Sequence, residues 1–125
     1  MVDDDGDARE LLMLALTHGG AEVRTAATVR AALETLDGWT PDVLVSDIGM
    51  PGEDGYELIR KVRAREPERG GQIPAVALTG YASADDAARS LAAGFQRHMS
   101  KPIDLAELIA VAARLAGQSQ PAEGT

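Results

Sequence analysis

The chain has 125 residues, 45% hydrophobic and 26% charged, with a formal net charge of −8, a size that suits one domain around a single apolar core. The negative balance argues against binding through nucleic-acid phosphates, and the absence of cysteine excludes disulfides, thiolate metal sites and cysteine nucleophiles. No apolar run approaches membrane-spanning length, and the acidic start lacks the basic-then-apolar order of a signal peptide, so a cytoplasmic setting is expected.

The chain opens on Met1 and Val2 followed by Asp3, Asp4 and Asp5, with Asp7 two residues on. Adjacent carboxylates repel, and confining them raises their pKa values unless a cation neutralises them. Ala8, Leu11, Leu12, Ala15 and Leu16 recur at helical spacing, and Asp7 with Glu10 predicts the start of a first helix that stops at Gly19-Gly20. "AEVRT" (21–25) alternates as a half-exposed strand does. Thr28 caps a second helix carrying Val29, Ala32, Leu33 and Leu36, closed by Gly38 and Pro41. "VLVS" (43–46) is a continuous apolar run, the mark of a strand buried on both faces. After the turn "GMPGEDG" a third helix carries Leu58, Ile59 and Val62.

"IPAVALT" (73–79) predicts a second buried strand, with Pro74 near its start, where proline is tolerated. Ser83 and Asp86 open a fourth helix that ends at Gly94, "FQRHMS" (95–100) predicts a short polar strand, and Asp104 with Glu107 opens a last helix through Leu115. The tail 117–125 has no apolar periodicity and reads as disordered. A domain over 1–116 follows.

Strands alternating with helices imply βαβ units and a parallel sheet covered on both faces, with ligands bound beyond the carboxyl ends of the strands. Asp3 and Asp4, Asp47, Thr79 and Lys101 each follow an apolar strand segment. Four strand ends therefore deliver carboxylates, a hydroxyl and an ammonium to one rim, and the acidic run reads as one wall of a cation site rather than a frayed end.

With "VDDD", "SDIGMPGEDGYEL", "ALTGYA" and "SKPI" in this order and spacing, the sequence resembles the receiver domain of two-component response regulators, from Val2 to about Leu115. The resemblance implies a doubly wound, flavodoxin-like α/β fold, a five-stranded parallel sheet in order 2-1-3-4-5 flanked by five helices. It implies that Asp47 is the phosphoacceptor, taking a phosphoryl group from the phosphohistidine of a sensor kinase or phosphotransfer protein. Asp4, Asp47 and the Gly49 carbonyl would bind Mg²⁺, with Asp3 acting through a metal-bound water. Thr79 would hydrogen-bond the phosphoryl group, Lys101 would pair with it, and the Lys101-Pro102 bond would be cis. Mg²⁺ prefers oxygen ligands and takes one or two carboxylates plus substrate phosphate, and phosphoryl transfer needs chiefly positioning and charge neutralisation. Gly49 and Gly80 leave room above the site, Gly55 permits a backbone turn, Pro51 shapes the loop after Asp47, and Asp5 and Asp54 read as solvated.

Two positions depart from the pattern. His98 stands where receivers place Tyr or Phe, the ring that swings inward as Thr79 shifts, and a polar ring is a different switch element. Only Met1 and Val2 precede the acidic pair, so the first strand reads as truncated. The expectation is a reading frame that begins earlier, or a piece of a longer protein such as a hybrid histidine kinase; a complete chain would instead invite homodimerisation by strand exchange.

Three other functions compete. A haloacid-dehalogenase-type Mg²⁺ phosphatase places its nucleophile after the first strand, but Asp7 sits where its Thr or Val belongs. A calcium loop over Asp3, Asp5 and Asp7 has Gly6 misplaced and Leu14 for the final Glu. A receiver-like module that binds without phosphorylation would have no need of Asp4, Asp47, Thr79 and Lys101 together.

Overall fold

The computed structural model describes residues 1–50, 52–80 and 84–119. Pro51, Ser83 and residues 120–125 lie outside the described residues, as does the Asp86 side chain. In chain order the elements are α1 (Gly6–His18), α2 (Val29–Gly38), β1 (Leu44–Asp47), α3 (Gly55–Arg63), a short 3₁₀ turn (Pro67–Arg69), β2 (Ala75–Thr79), α4 (Ala84–Ala93), β3 (Arg97–Ser100) and α5 (Leu105–Ser119).

The three strands are parallel in order β1-β2-β3, with Val45 opposite Val76 and Leu78 opposite Met99. Val2 adds single parallel bridges to Ser46 on one side and to Ala26 on the other. The alternating segment 21–25, expected as a strand, is not one. A strand exists only by pairing, and among the described residues the N-terminal segment bonds only Arg24 of this stretch and Ala26 just beyond it, through Met1 and Asp3.

Apolar side chains form two layers. Val29, Ala32 and Leu36 of α2, and Leu58, Ile59 and Val62 of α3, pack with Leu44, Ala75 and Ala77. Leu12 and Leu16 of α1, and Leu108, Val111 and Leu115 of α5, pack with Val45, Val76 and Leu78. Successive strand residues point to opposite faces, so β1 and β2 feed both layers. This is why they read as unbroken apolar runs.

Caps fix the helix starts. The Thr28 hydroxyl accepts from the Ala31 amide and the Asp104 carboxylate from the Glu107 amide, both as expected. The first helix begins earlier than the Asp7–Glu10 pair suggests. Asp5 is its cap, and one oxygen accepts from the amides of Asp7 and Ala8. Asp54 caps α3 through the Glu57 amide. Asp5 and Asp54 are therefore structural acceptors rather than merely solvated charges. At the other end, α5 runs through Ser119, past the expected boundary at 116.

Gly55 is needed for close approach rather than for an unusual turn. A Cβ there would lie 2.5 Å from the Asp47 carbonyl oxygen and 2.8 Å from Ile48 Cδ1. Gly55→Ala should therefore push α3 away from the carboxyl end of β1, costing about 1–3 kcal/mol by urea unfolding, as other overpacked contacts do.

Candidate functional site

Beyond the carboxyl end of β1, one oxygen from each of Asp3, Asp4 and Asp47 lies within 4.8 Å of the others. Asp3 is brought there by the Val2 bridges. The Val2 amide donates to Val45 O at 2.8 Å, and the Asp47 amide donates to Val2 O at 2.9 Å. The Asp3 amide reaches Ala26 O at 3.1 Å. Asp47 arrives as the last residue of β1, so the two acidic segments are clamped side by side.

The three carboxylates have different surroundings. Asp3 is fully buried, Asp47 is 4% exposed and Asp4 is exposed. Asp3 Oδ1 accepts from the Asp5 amide at 2.9 Å, while its Oδ2 is buried without a hydrogen-bond partner. Burial raises the Asp3 pKa, and the charges of Asp47 and Asp4 add to the effect, against the Asp5 amide and Lys101. A raised carboxyl pKa means that the folded state holds the proton more tightly. The ionised form thus costs folding stability above that pKa, and the cost is absent below the ordinary carboxylate range.

The other rim residues converge on Asp47. Lys101 Nζ lies 3.2 Å from Asp47 Oδ1, which also accepts from the Gly49 amide at 3.3 Å. Thr79, buried at the end of β2, takes the Lys101 amide on its carbonyl at 2.7 Å. The Lys101-Pro102 peptide is cis. Among the described residues, chain neighbours aside, no atom lies within 4 Å of where a Cβ would stand on Gly49 or Gly80, beside Asp47 and Thr79. His98 lies on β3, three residues before Lys101 and opposite Ala77 of β2, with its Nε2 buried and unpartnered among the described residues.

Sequence reasoning did not find two contributors. Arg9 donates through Nη1 to the Asp3 carbonyl at 2.8 Å, and the Asp5 amide holds the Asp3 carboxylate. Asp5 was detectable, because an aspartate bonding the amide two residues on is a standard local turn. Arg9 carried no such signal.

An oxygen set of two buried carboxylates and one exposed, with one buried oxygen unpartnered, fits a hard divalent cation of the Mg²⁺ type. Such an ion would also relieve the repulsion that raises the Asp3 pKa. Asp3→Asn should accordingly raise the thermal midpoint of the metal-free protein at neutral pH and shrink the further rise that Mg²⁺ produces, both read by differential scanning calorimetry.

The response regulator receiver domain family matches residues 1–113. The uncharacterized 14.6 kDa protein in the sodA1 3′ region of Leptolyngbya boryana is 45% identical, covering 87% of this chain and 82% of that one. The DNA-binding transcriptional regulator NtrC of Klebsiella pneumoniae is 35% identical over 91% of this chain, which spans 24% of its length. Among solved structures, the chemotaxis protein CheY4 of Vibrio cholerae superposes with a TM-score of 0.83 at 30% identity, covering 91% of this chain and 93% of that one.

Proposed function

The chain belongs to the response regulator receiver domains, and from that membership we propose that Asp47 accepts a phosphoryl group from the phosphohistidine of a sensor kinase or phosphotransfer protein. Receiver domains are signalling modules that take phosphoryl groups from such donors. The observation that carries the assignment to Asp47 is its position. It is the buried carboxylate that shares the acidic cluster with Asp3 and Asp4 and also meets the ammonium of Lys101.

The step balances simply. A carboxylate oxygen of Asp47 forms the O–P bond as the N–P bond to the donor imidazole breaks, and the imidazole keeps the electron pair. The product is an acyl phosphate. Lys101 sits where it pairs with the incoming phosphoryl oxygens. Thr79, beside open space at Gly80, would donate its hydroxyl to the same group. Asp4, Asp47 and the Gly49 carbonyl would hold Mg²⁺, with Asp3 acting through a bound water; the ion supplies neutralisation of the charge on the transferred group. His98 would act with Thr79 as the element that repositions after transfer. The module catalyses only its own phosphorylation and dephosphorylation.

Two features favour this reading over an aspartate-dependent phosphatase with its nucleophile after the first strand. Asp3 Oδ1 is occupied by the Asp5 amide, and Lys101 faces Asp47. The Val2 pairings also support reading the N-terminal segment as a reduced central strand in a 2-1-3-4-5 sheet. Incubation with a phosphohistidine donor and Mg²⁺, followed by intact-mass measurement, tests the proposal. One hydroxylamine-labile phosphoryl adduct is expected, and a hydroxylamine-stable adduct or none would refute it.

A further inference from the structure

The first turn of α1 grips Asp3 at two oxygens. Asp3 Oδ1 accepts from the Asp5 amide at 2.9 Å, and the Asp3 carbonyl accepts from Arg9 Nη1 at 2.8 Å. Among the described residues no backbone amide reaches that carbonyl. It lies where the chain leaves the sheet. The amides of Val2 and Asp3 still donate to Val45 O and Ala26 O, but the Asp5 amide donates to a side chain. Arg9 thus meets the acceptor that the ladder drops, and a part-buried carbonyl left unmet is costly.

Electrostatics alone would not put a guanidinium there. Arg9 sits in the first turn of α1, where the helix dipole disfavours a cation. Its Nη2 lies 3.7 Å from where a Cβ would stand on Gly6, so the guanidinium is folded back over the helix start. Asp3, Asp4, Asp5 and Asp7 crowd the same stretch, yet among the described residues Arg9 makes no ion pair. Its contact is with the backbone between the two N-terminal members of the acidic cluster. The peptide from Asp3 to Asp4 is planar. Fixing its carbonyl fixes the plane from which Asp4 departs, and the Asp5 amide holds the Asp3 side chain against the same turn.

We propose that Arg9 is a positioning residue for the acidic pocket: through the Asp3 carbonyl it holds the Asp3–Asp4 peptide so that both carboxylates converge with Asp47. The proposal rests on reading that pocket as a Mg²⁺ site. Charge and positioning then predict opposite signs. Arg9 is a cation near a site for a cation, so by charge alone its removal tightens Mg²⁺ binding. By positioning, its removal weakens binding, and groups that orient metal ligands are worth about 10–100-fold in affinity. By reciprocity, an ion that needs the ordered peptide also steadies the Arg9 contact.

The test is isothermal titration of wild type and Arg9→Met with magnesium chloride, no phosphoryl donor present, at a temperature where circular dichroism shows both fully folded. Methionine keeps an unbranched stem and removes the charge and the donors. Arg9→Met should bind Mg²⁺ about tenfold more weakly. In the metal-free variant, NMR should show amide exchange at Asp5 at least about fivefold faster, with Ile48, which donates to Leu78 O, unchanged. Arg30→Met, which breaks an exposed ion pair with Glu34 on α2, should leave Mg²⁺ affinity unchanged. In the wild-type protein itself, saturating Mg²⁺ should slow rotation of the Arg9 guanidinium at least about twofold. Mg²⁺ affinity in Arg9→Met equal to or tighter than wild type, while Asp4→Ala still weakens it, overturns the positioning role and leaves the pocket standing. Unchanged Asp5 exchange, or guanidinium rotation indifferent to Mg²⁺, overturns it as well. A wild-type protein that binds no Mg²⁺ overturns both the role and the pocket.

Discussion

Asp47→Asn should reduce phosphoryl uptake to background under conditions where the wild-type protein is fully labelled. The carboxamide is nearly isosteric and can still accept at Oδ1 from the Gly49 amide and Lys101, so the loop after β1 keeps its shape. The side chain loses its negative charge, and the carboxamide oxygen is a poor nucleophile. Buried repulsion with Asp3 also falls, so folding should be preserved or improved, and circular dichroism with thermal melting checks this in the same sample. Intact-mass labelling with a phosphohistidine donor reads the chemistry. Surviving label, chased to Asp3, Asp4 or Asp5 by peptide mapping, would move the nucleophile to the N-terminal segment and favour the phosphatase mechanism.

Asp4→Ala should weaken Mg²⁺ binding by more than tenfold in isothermal titration calorimetry, with little change in stability. Loss of a group one shell removed from a metal already costs about 10–100-fold in affinity, and Asp4 is proposed as a direct ligand. It is exposed, so its removal leaves no cavity and breaks no packing. Asp5→Ala is the matched control: it removes the cap of α1, costing about 0.5–2 kcal/mol, and should leave Mg²⁺ affinity within twofold of wild type. If both substitutions weaken the metal equally, the acidic run acts as a diffuse charge and not as a set of ligands.

The sequence made the layering of the fold readable wherever the determinant was local. Thr28 and Asp104 are caps because a side-chain oxygen meets an amide three residues on. β1 and β2 are legible because burial on both faces makes them apolar up to the polar residues at their carboxyl ends. The rim of Asp3, Asp4, Asp47, Thr79 and Lys101 followed from their places after apolar runs. What escaped was set by partners distant in the chain. Segment 21–25 has the pattern of a strand, yet pairing depends on what lies beside it, and among the described residues the N-terminal segment meets it only at Arg24. The need for glycine at 55 comes from the Asp47 carbonyl, a tertiary contact without a sequence signature. Which aspartate of the run is buried was equally hidden. Asp3 turns inward because the Val2 bridges fix its backbone, and Asp4 then faces solvent.

The acidic triad depends on how the N-terminal segment is held beside β1. Four backbone hydrogen bonds, made by the amides of Val2, Asp3, Ala26 and Asp47, and one buried valine hold the first three residues against the sheet. Segments held by few contacts can open locally at less cost than global unfolding. Separation of this segment would carry Asp3 and Asp4 away from Asp47 as one body, dismantling the cation pocket while β1, β2 and β3 remain intact. Any ion that bridges the two segments therefore acts as a stitch between them, and ion binding and N-terminal order are two readings of one equilibrium.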